Sequence, residues 1–214
     1  VTSAVLLPPA DCPLCPRLAG FRAAQRAAHP DWFNAPVPPF GDESAELLIV
    51  GLAPGLRGAN RTGRPFTGDY AGDLLYATLD KFGFAIGRYG ADPADGLALA
   101  RTRITNAVRC VPPQNRPEAA EIAACRRFLA AELASLSRVR AIVALGTIAH
   151  QAVVAAFGAR QAAYKFAHGA LHELPQARLL ADSYHCSRLN TNTGKLTPQM
   201  FEDVFAVVKA RLSG

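Results

Sequence analysis

The stretch ELLIVGLAPGLRGANRTGRPFTGD, residues 46–69, begins as an apolar run closed by Gly51 and continues into a loop of glycines and arginines that ends on a carboxylate. A short apolar run closed by a turn residue reads as a strand buried on both faces. Three more such runs follow: RITNAVRC at 103–110, VRAIVALG at 139–146 and RLLADSYH at 178–185. Helical patterns lie around them at 18–28, 72–82, 117–135, 147–157 and 198–212. Near-continuous apolar strands alternating with amphipathic helices predict an α/β protein, a three-layer α/β/α sandwich around a central, mostly parallel four-stranded sheet. Ligands bind such sheets outside the carboxyl ends of the strands. Gly51, the stretch from Asn106 to Asn115, and His185 all fall there.

At 214 residues the chain is long enough to bury one core without disulfides. No repeat or low-complexity linker interrupts it, and one domain over 1–214 is expected, with the Pro-rich patch at 35–40 joining an N-terminal segment to the body. The 23 Lys and Arg exceed the 17 Asp and Glu for a formal charge of +6. That balance suits a polyanionic partner and equally suits a plain solvated basic surface. The opening VTSAVLLPPADCPLC lacks the basic start of a signal peptide and breaks at Pro8 and Pro9, and no stretch approaches the ~20 apolar residues of a membrane span. A cytoplasmic protein without a membrane partner is expected. Five cysteines in such a chain point to metal or catalytic use rather than to a disulfide framework.

The loop at 51–69 has neither the P-loop nor the Rossmann spacing. Its glycines allow close backbone approach and Arg57, Arg61 and Arg64 offer charge to phosphates, or the glycines serve a surface loop for steric reasons alone. Phe66 and Asp69, just before the helical pattern at 72–82, put an aromatic face and a carboxylate within reach of one pocket; the plainer alternative is a core Phe and an N-cap Asp. Asn106 and Asn115 read as recognition amides or as turn residues. His185 reads as a catalytic imidazole or as an idle strand-end histidine.

GLAPGLRGANRTGRPFTGD, TNAVRCVPPQNRP and YHCSRLNTNTGKLT, in this order and with CxxC upstream, resemble the family-five (type b) uracil-DNA glycosylases over nearly the whole chain. The resemblance implies an enzyme that flips a damaged nucleotide out of DNA and hydrolyses its N-glycosidic bond. It assigns Phe66 to stacking on the base, and Asn106 to its edge, in a pocket shared with Gly51, Ala53 and Arg61. Asp69 becomes the essential acid, His185 the partner of the pyrimidine O2, and Asn115 a positioner of water or substrate. Arg64, Ser187, Arg188, Leu189 and Asn190 are assigned to the DNA, with Leu189 as a wedge in the stack. At 106 the family-five pattern often carries alanine, whereas family four carries Asn; stronger action on uracil in A:U pairs is expected here. Some sister families place an acidic water activator directly after the first strand. This chain reads Gly51-Leu52-Ala53, so that task falls to Asp69.

Cys12, Cys15, Cys110 and Cys125 have the order of the [4Fe–4S] cysteines of families four and five, and spacing alone would equally allow structural zinc. The resemblance favours a structural [4Fe–4S] cluster pinning segment 1–40 to the body. Cys186 is left as a packing residue. The expected activity is a monofunctional glycosylase on uracil, hypoxanthine and xanthine in double-stranded DNA, acting as a monomer in base excision repair. The alternatives are a damage-binding protein without turnover and, more weakly, an iron–sulfur nucleic-acid-binding module without base chemistry.

Overall fold

The computed structural model describes residues 6–214; the first five residues of the apolar opening lie outside them. In chain order the strands are β1 (Phe40–Gly41), β2 (Leu47–Gly51), β3 (Ala85–Ile86), β4 (Ala98–Leu99), β5 (Thr102–Asn106), β6 (Ala141–Leu145), β7 (Leu171–Leu174) and β8 (Arg178–Ser183). The helices are α1 (Pro16–Ala28), α2 (Ala59–Thr62), α3 (Tyr70–Lys81), α4 (Ala119–Ser135), α5 (Thr147–Ala156), α6 (Arg188–Asn192) and α7 (Pro198–Ser213).

The main sheet has the order β1-β5-β2-β6-β8-β7. Its four inner strands are parallel, and every residue of them is buried. They are the four apolar runs of the sequence, and they alternate with helices because parallel neighbours need crossovers. The expected four-stranded sheet is corrected to six strands: β1 and β7 add antiparallel edges. Neither edge carries a long apolar run, since β1 has two residues and β7 mixes exposed with buried positions. The run at 103–110 leaves the sheet at Asn106, and the run at 178–185 leaves it at Ser183.

Helices α3 and α7 cover one face, with Leu75, Leu79, Phe201 and Phe205 packed on Ile49, Ile104 and Val143. Helices α4 and α5 cover the other, with Leu129, Leu133 and Val153 on Leu48, Val50 and Ile142. A third apolar cluster joins Leu18 of α1 to Val108, Phe128 and three cysteines. Between β5 and α4, the buried Glu132 carboxylate accepts hydrogen bonds from Arg103 Nε (2.7 Å), Thr105 Oγ1 (2.9 Å) and Arg109. A carboxylate so deep persists because the two guanidiniums neutralise it. The strands β3 and β4 form a separate antiparallel hairpin inserted between α3 and β5. Among the described residues, no helix is long and apolar enough to cross a membrane.

Candidate active site

The parallel register sets Gly51 opposite Asn106 and Leu145 opposite Ser183, so the loops that follow β2, β5, β6 and β8 emerge at one edge of the sheet. They enclose a cavity of about 520 Å³. Phe66, Asp69, Ala53, Asn106, Asn115, His185, Ser187 and Arg188 all line it. Residues dispersed from 53 to 188 thus meet because the strands that carry them are neighbours.

The close approach of the loops depends on Gly51. A Cβ there would stand 2.4 Å from Asn106 Oδ1 and 2.6 Å from Phe66 Cζ. Gly51 is therefore the floor under both side chains. Phe66 itself holds a positive φ of 54°, a conformation rare for a non-glycine residue and held by its surroundings. Its ring faces the imidazole of His185 at 5.9 Å between centroids, with the planes inclined by 29°.

Asp69 is the N-cap of α3, yet its side chain makes no capping hydrogen bond within ordinary limits. Its Oδ1 is buried without a partner. Burial raises its pKa above the usual carboxylate value, while the nearby amides of Gly72 and Ala71 oppose the rise. Asn106 is 3% exposed, and its Oδ1 also lacks a partner. Two buried polar atoms without protein partners, facing one cavity, mark a place prepared for a ligand or water. Desolvation alone pushes His185 down to about 4, leaving a neutral imidazole at physiological pH. Asn115 closes the short 3₁₀ turn Pro113–Asn115 with a positive φ of 56°, as asparagine tolerates.

Three expectations need correction. Arg64 is 5% exposed and does not face DNA: its guanidinium donates to both Asp95 oxygens at 2.7 Å and lies near the rings of Phe40, Tyr76 and Tyr89. Arg61 does not line the cavity. Its Nε donates to the Arg57 carbonyl at 2.9 Å, and it borders a separate groove with Trp32 and Phe33. Asn190 turns inward, its amide donating to the His185 carbonyl at 2.8 Å, so it fixes the loop rather than reaching outward. Ser187 caps α6 by accepting from the Asn190 amide. Leu189, at the tip of the same loop, is 72% exposed, and Arg188 lies over Tyr70 at 5.3 Å.

Sequence reasoning passed over Leu145, Gly146, Thr147 and Ile148, which line the cavity from the end of β6. The signal was present, since Gly146 ends an apolar strand just as Gly51 does. Gly146 has a φ of +95°, a backbone conformation that favours glycine, and a Cβ there would make only an ordinary 3.6 Å contact with the His185 Cβ.

Cys12, Cys15, Cys110 and Cys125 line one small apolar recess between α1, α4 and the segment after β5. Arg22 Nη1 donates to Cys110 Sγ at 3.2 Å, and the Arg109 amide donates to Cys125 Sγ at 3.3 Å. The buried Arg22 Nε has no partner. Without a cation, burial pushes the Cys15 and Cys110 thiols up to about 11. N–H groups aimed at sulfur, together with a spare guanidinium donor, fit a thiolate-held anionic group. Cys186 is wholly buried and packs in the main core.

The uracil DNA glycosylase superfamily model matches residues 38–209. The type-5 uracil-DNA glycosylase of Thermus thermophilus is 48% identical, covering 95% of this chain and 94% of the relative. That of Pyrobaculum aerophilum is 41% identical over 91% of this chain and 86% of its own. A type-4 enzyme of Pyrobaculum aerophilum is 36% identical over 58% of this chain. With full-length similarity to the type-5 enzymes and a superfamily match spanning all four loops of the cavity, the chain belongs to the uracil-DNA glycosylase superfamily, among its type-5 members.

Proposed function

We propose that the chain is a monofunctional DNA glycosylase that hydrolyses the N-glycosidic bond of uracil, and of hypoxanthine and xanthine, in double-stranded DNA. The observation that carries this reading is Asp69, a half-buried carboxylate with one buried, unpartnered oxygen, on the same cavity as Phe66 and a neutral His185. The flipped base stacks on Phe66 and presents its edge to Asn106. As the bond between C1′ and the base nitrogen breaks, its electron pair passes to the base, and an N–H of His185 stabilises the growing charge on the carbonyl oxygen. Asp69 stabilises the cationic sugar and takes a proton from the water that adds to C1′. Asn115 helps to orient that water.

No lysine lines the cavity among the described residues, which supports hydrolysis over a Schiff-base route. Lys195 instead points its ammonium at the Tyr184 ring, 4.8 Å away. The cavity volume of about 520 Å³ is ample for a bicyclic base, which supports action on deaminated purines. Exposed Leu189 beside Arg188 and Ser187 suits a wedge held against duplex DNA. Acting alone as a monomer is part of this reading.

The four cysteines would hold a [4Fe–4S] cluster, which would cross-link the N-terminal segment to α4 and the body without taking part in the hydrolysis. Structural zinc, the alternative, would use the same four sulfurs.

The test is incubation with labelled duplexes carrying uracil opposite G or A, or hypoxanthine, followed by alkaline cleavage, with Asp69→Asn as control. Abasic sites formed by the wild type and lost in the variant are expected. Tight lesion binding without base release would replace this reading with a damage-binding one.

A further inference from the structure

The inserted hairpin carries no cavity-lining residue, yet its contacts converge on the turn that carries Phe66 and Asp69. Tyr89, in the loop between β3 and β4, donates its hydroxyl hydrogen to the Phe66 carbonyl at 3.1 Å and accepts from the Gly68 amide at 3.3 Å. One phenol thus bridges the peptide groups on either side of Thr67. Phe66 has a positive φ of 54°, so its backbone is not held by its own conformational preference, whereas Gly68 adopts its φ of 84° readily. Tyr76 of α3 holds the preceding carbonyl, its hydroxyl donating to Pro65 O at 2.7 Å.

The hairpin is itself held to the turn. Asp95 takes both prongs of Arg64, which lies in the turn, and also accepts from the amides of Gly90 at 2.8 Å and Leu97 at 3.0 Å. The Tyr89 and Tyr76 rings stack at 4.5 Å, with the Arg64 guanidinium 5.6–5.8 Å from their centroids. Gly72 of α3 allows the approach, since a Cβ there would stand 2.5 Å from the Tyr89 hydroxyl and 1.9 Å from the Phe66 carbonyl oxygen. The turn is gripped from outside by one arm through two contacts, a hydroxyl and an ion pair.

We propose that Tyr89 is a positioning residue for base excision, setting the Phe66 ring and the Asp69 carboxylate through the peptide groups of Phe66 and Gly68, with Asp95 acting as part of the same arm. This rests on the glycosylase reading above. The placement matters because a misplacement of about 1 Å at a reacting group costs roughly 100-fold in rate. Tyr89 touches neither the cavity nor the Leu189 loop, so it acts only through the turn that carries Phe66 and Asp69.

The experiment measures kcat and KM on a uracil duplex for the cluster-loaded wild type, Tyr89→Phe, Asp95→Asn, their double variant and Ile86→Ala, with a melting curve for each. Tyr89→Phe keeps the ring stack and removes only the hydroxyl. Its kcat is expected to fall about 10- to 100-fold while KM stays within about 2-fold. Asp95→Asn should show the same split, and the double variant should lose much less than the product of the two losses, because the arm works as one unit. Ile86, 62% exposed on the hairpin, should tolerate alanine without loss. An unchanged kcat in Tyr89→Phe, a rise in KM instead of a fall in kcat, or losses that multiply in the double variant would overturn the assignment. Absence of base release by the wild type would overturn the glycosylase reading instead.

Discussion

A Cβ on Gly58 would stand 2.3 Å from Asp69 Oδ2 and 2.8 Å from its Cγ, and one on Gly55 would stand 2.9 Å from the same oxygen. The carboxylate is packed against bare backbone, in a space that only glycine leaves open. Gly58→Ala should therefore turn the Asp69 side chain and lower the rate of base release about 100-fold. Circular dichroism should remain that of the wild type. A variant of full activity would show that the carboxylate tolerates another orientation.

Burial raises the Asp69 pKa, which makes its charge a cost to the folded state at neutral pH. For a carboxyl whose folded pKa lies above its unfolded value, stability is greatest at acid pH and declines as pH rises through the folded pKa. Asp69→Asn removes that charge and keeps the shape. It should raise the melting temperature by about 2–6 °C while abolishing turnover. A lower melting temperature would mean that the Gly72 and Ala71 amides repay the desolvation of the carboxylate.

Two histidines give the stability profile opposite slopes. His185 is held down to about 4, so its contribution is complete above the unfolded pKa of about 6.5 and is lost as pH falls from there towards 4. Both ring nitrogens of His150 face acceptors, Asp182 Oδ1 and the Tyr164 carbonyl at 2.8 Å each, and these bonds raise its pKa against desolvation. Protonation of His150 is therefore favoured in the folded protein. Its contribution is complete below about 6.5 and is lost as pH rises through its raised value. Urea midpoints measured from pH 4 to 9 should lose their alkaline decline in His150→Gln, and ring NMR shifts should show His185 neutral at pH 6.

Removing one cysteine of the recess tests its occupant. Protein purified without oxygen should be brown, with iron and acid-labile sulfide, and Cys125→Ser should lose both and melt lower. Colourless protein holding one zinc per chain would replace the cluster with a tetrahedral site.

Leu189 is exposed, so Leu189→Ala should leave the melting temperature within about 1 °C. Excision from duplex DNA should fall about 10-fold with little change on single-stranded DNA, because only a paired base needs a wedge. Equal losses on both substrates would exclude the wedge.

The inner strands were legible because burial on both faces demands an apolar run, and runs such as AIVAL leave no second reading. The edge strands were not, since backbone pairing to β5 and β8 makes strands of segments whose side chains show no pattern. The hairpin was missed for a related reason: two-residue strands flanked by Gly, Asp and Pro read as loop. Among the expected site residues, Phe66, Asp69, Asn106 and His185 meet as their motifs implied. Arg64 does not reach DNA because its partner lies 31 residues downstream, a pairing that no local spacing announces. The inward turn of Asn190 is not legible because an amide beside an exposed leucine looks free until the loop folds back on His185.

Four adjacent parallel strands each deliver one cavity wall: Asp69 and Phe66 follow β2, Asn106 ends β5, Gly146 follows β6 and His185 follows β8. The pocket is therefore modular. Under the glycosylase reading, a change at the end of β5 would alter which base edge is read and a change at Leu189 would alter the grip on duplex DNA, whereas His185 and the Phe66 ring it faces are coupled. New lesion preferences are open to this scaffold one loop at a time, while the buried sheet that aligns the loops stays as it is.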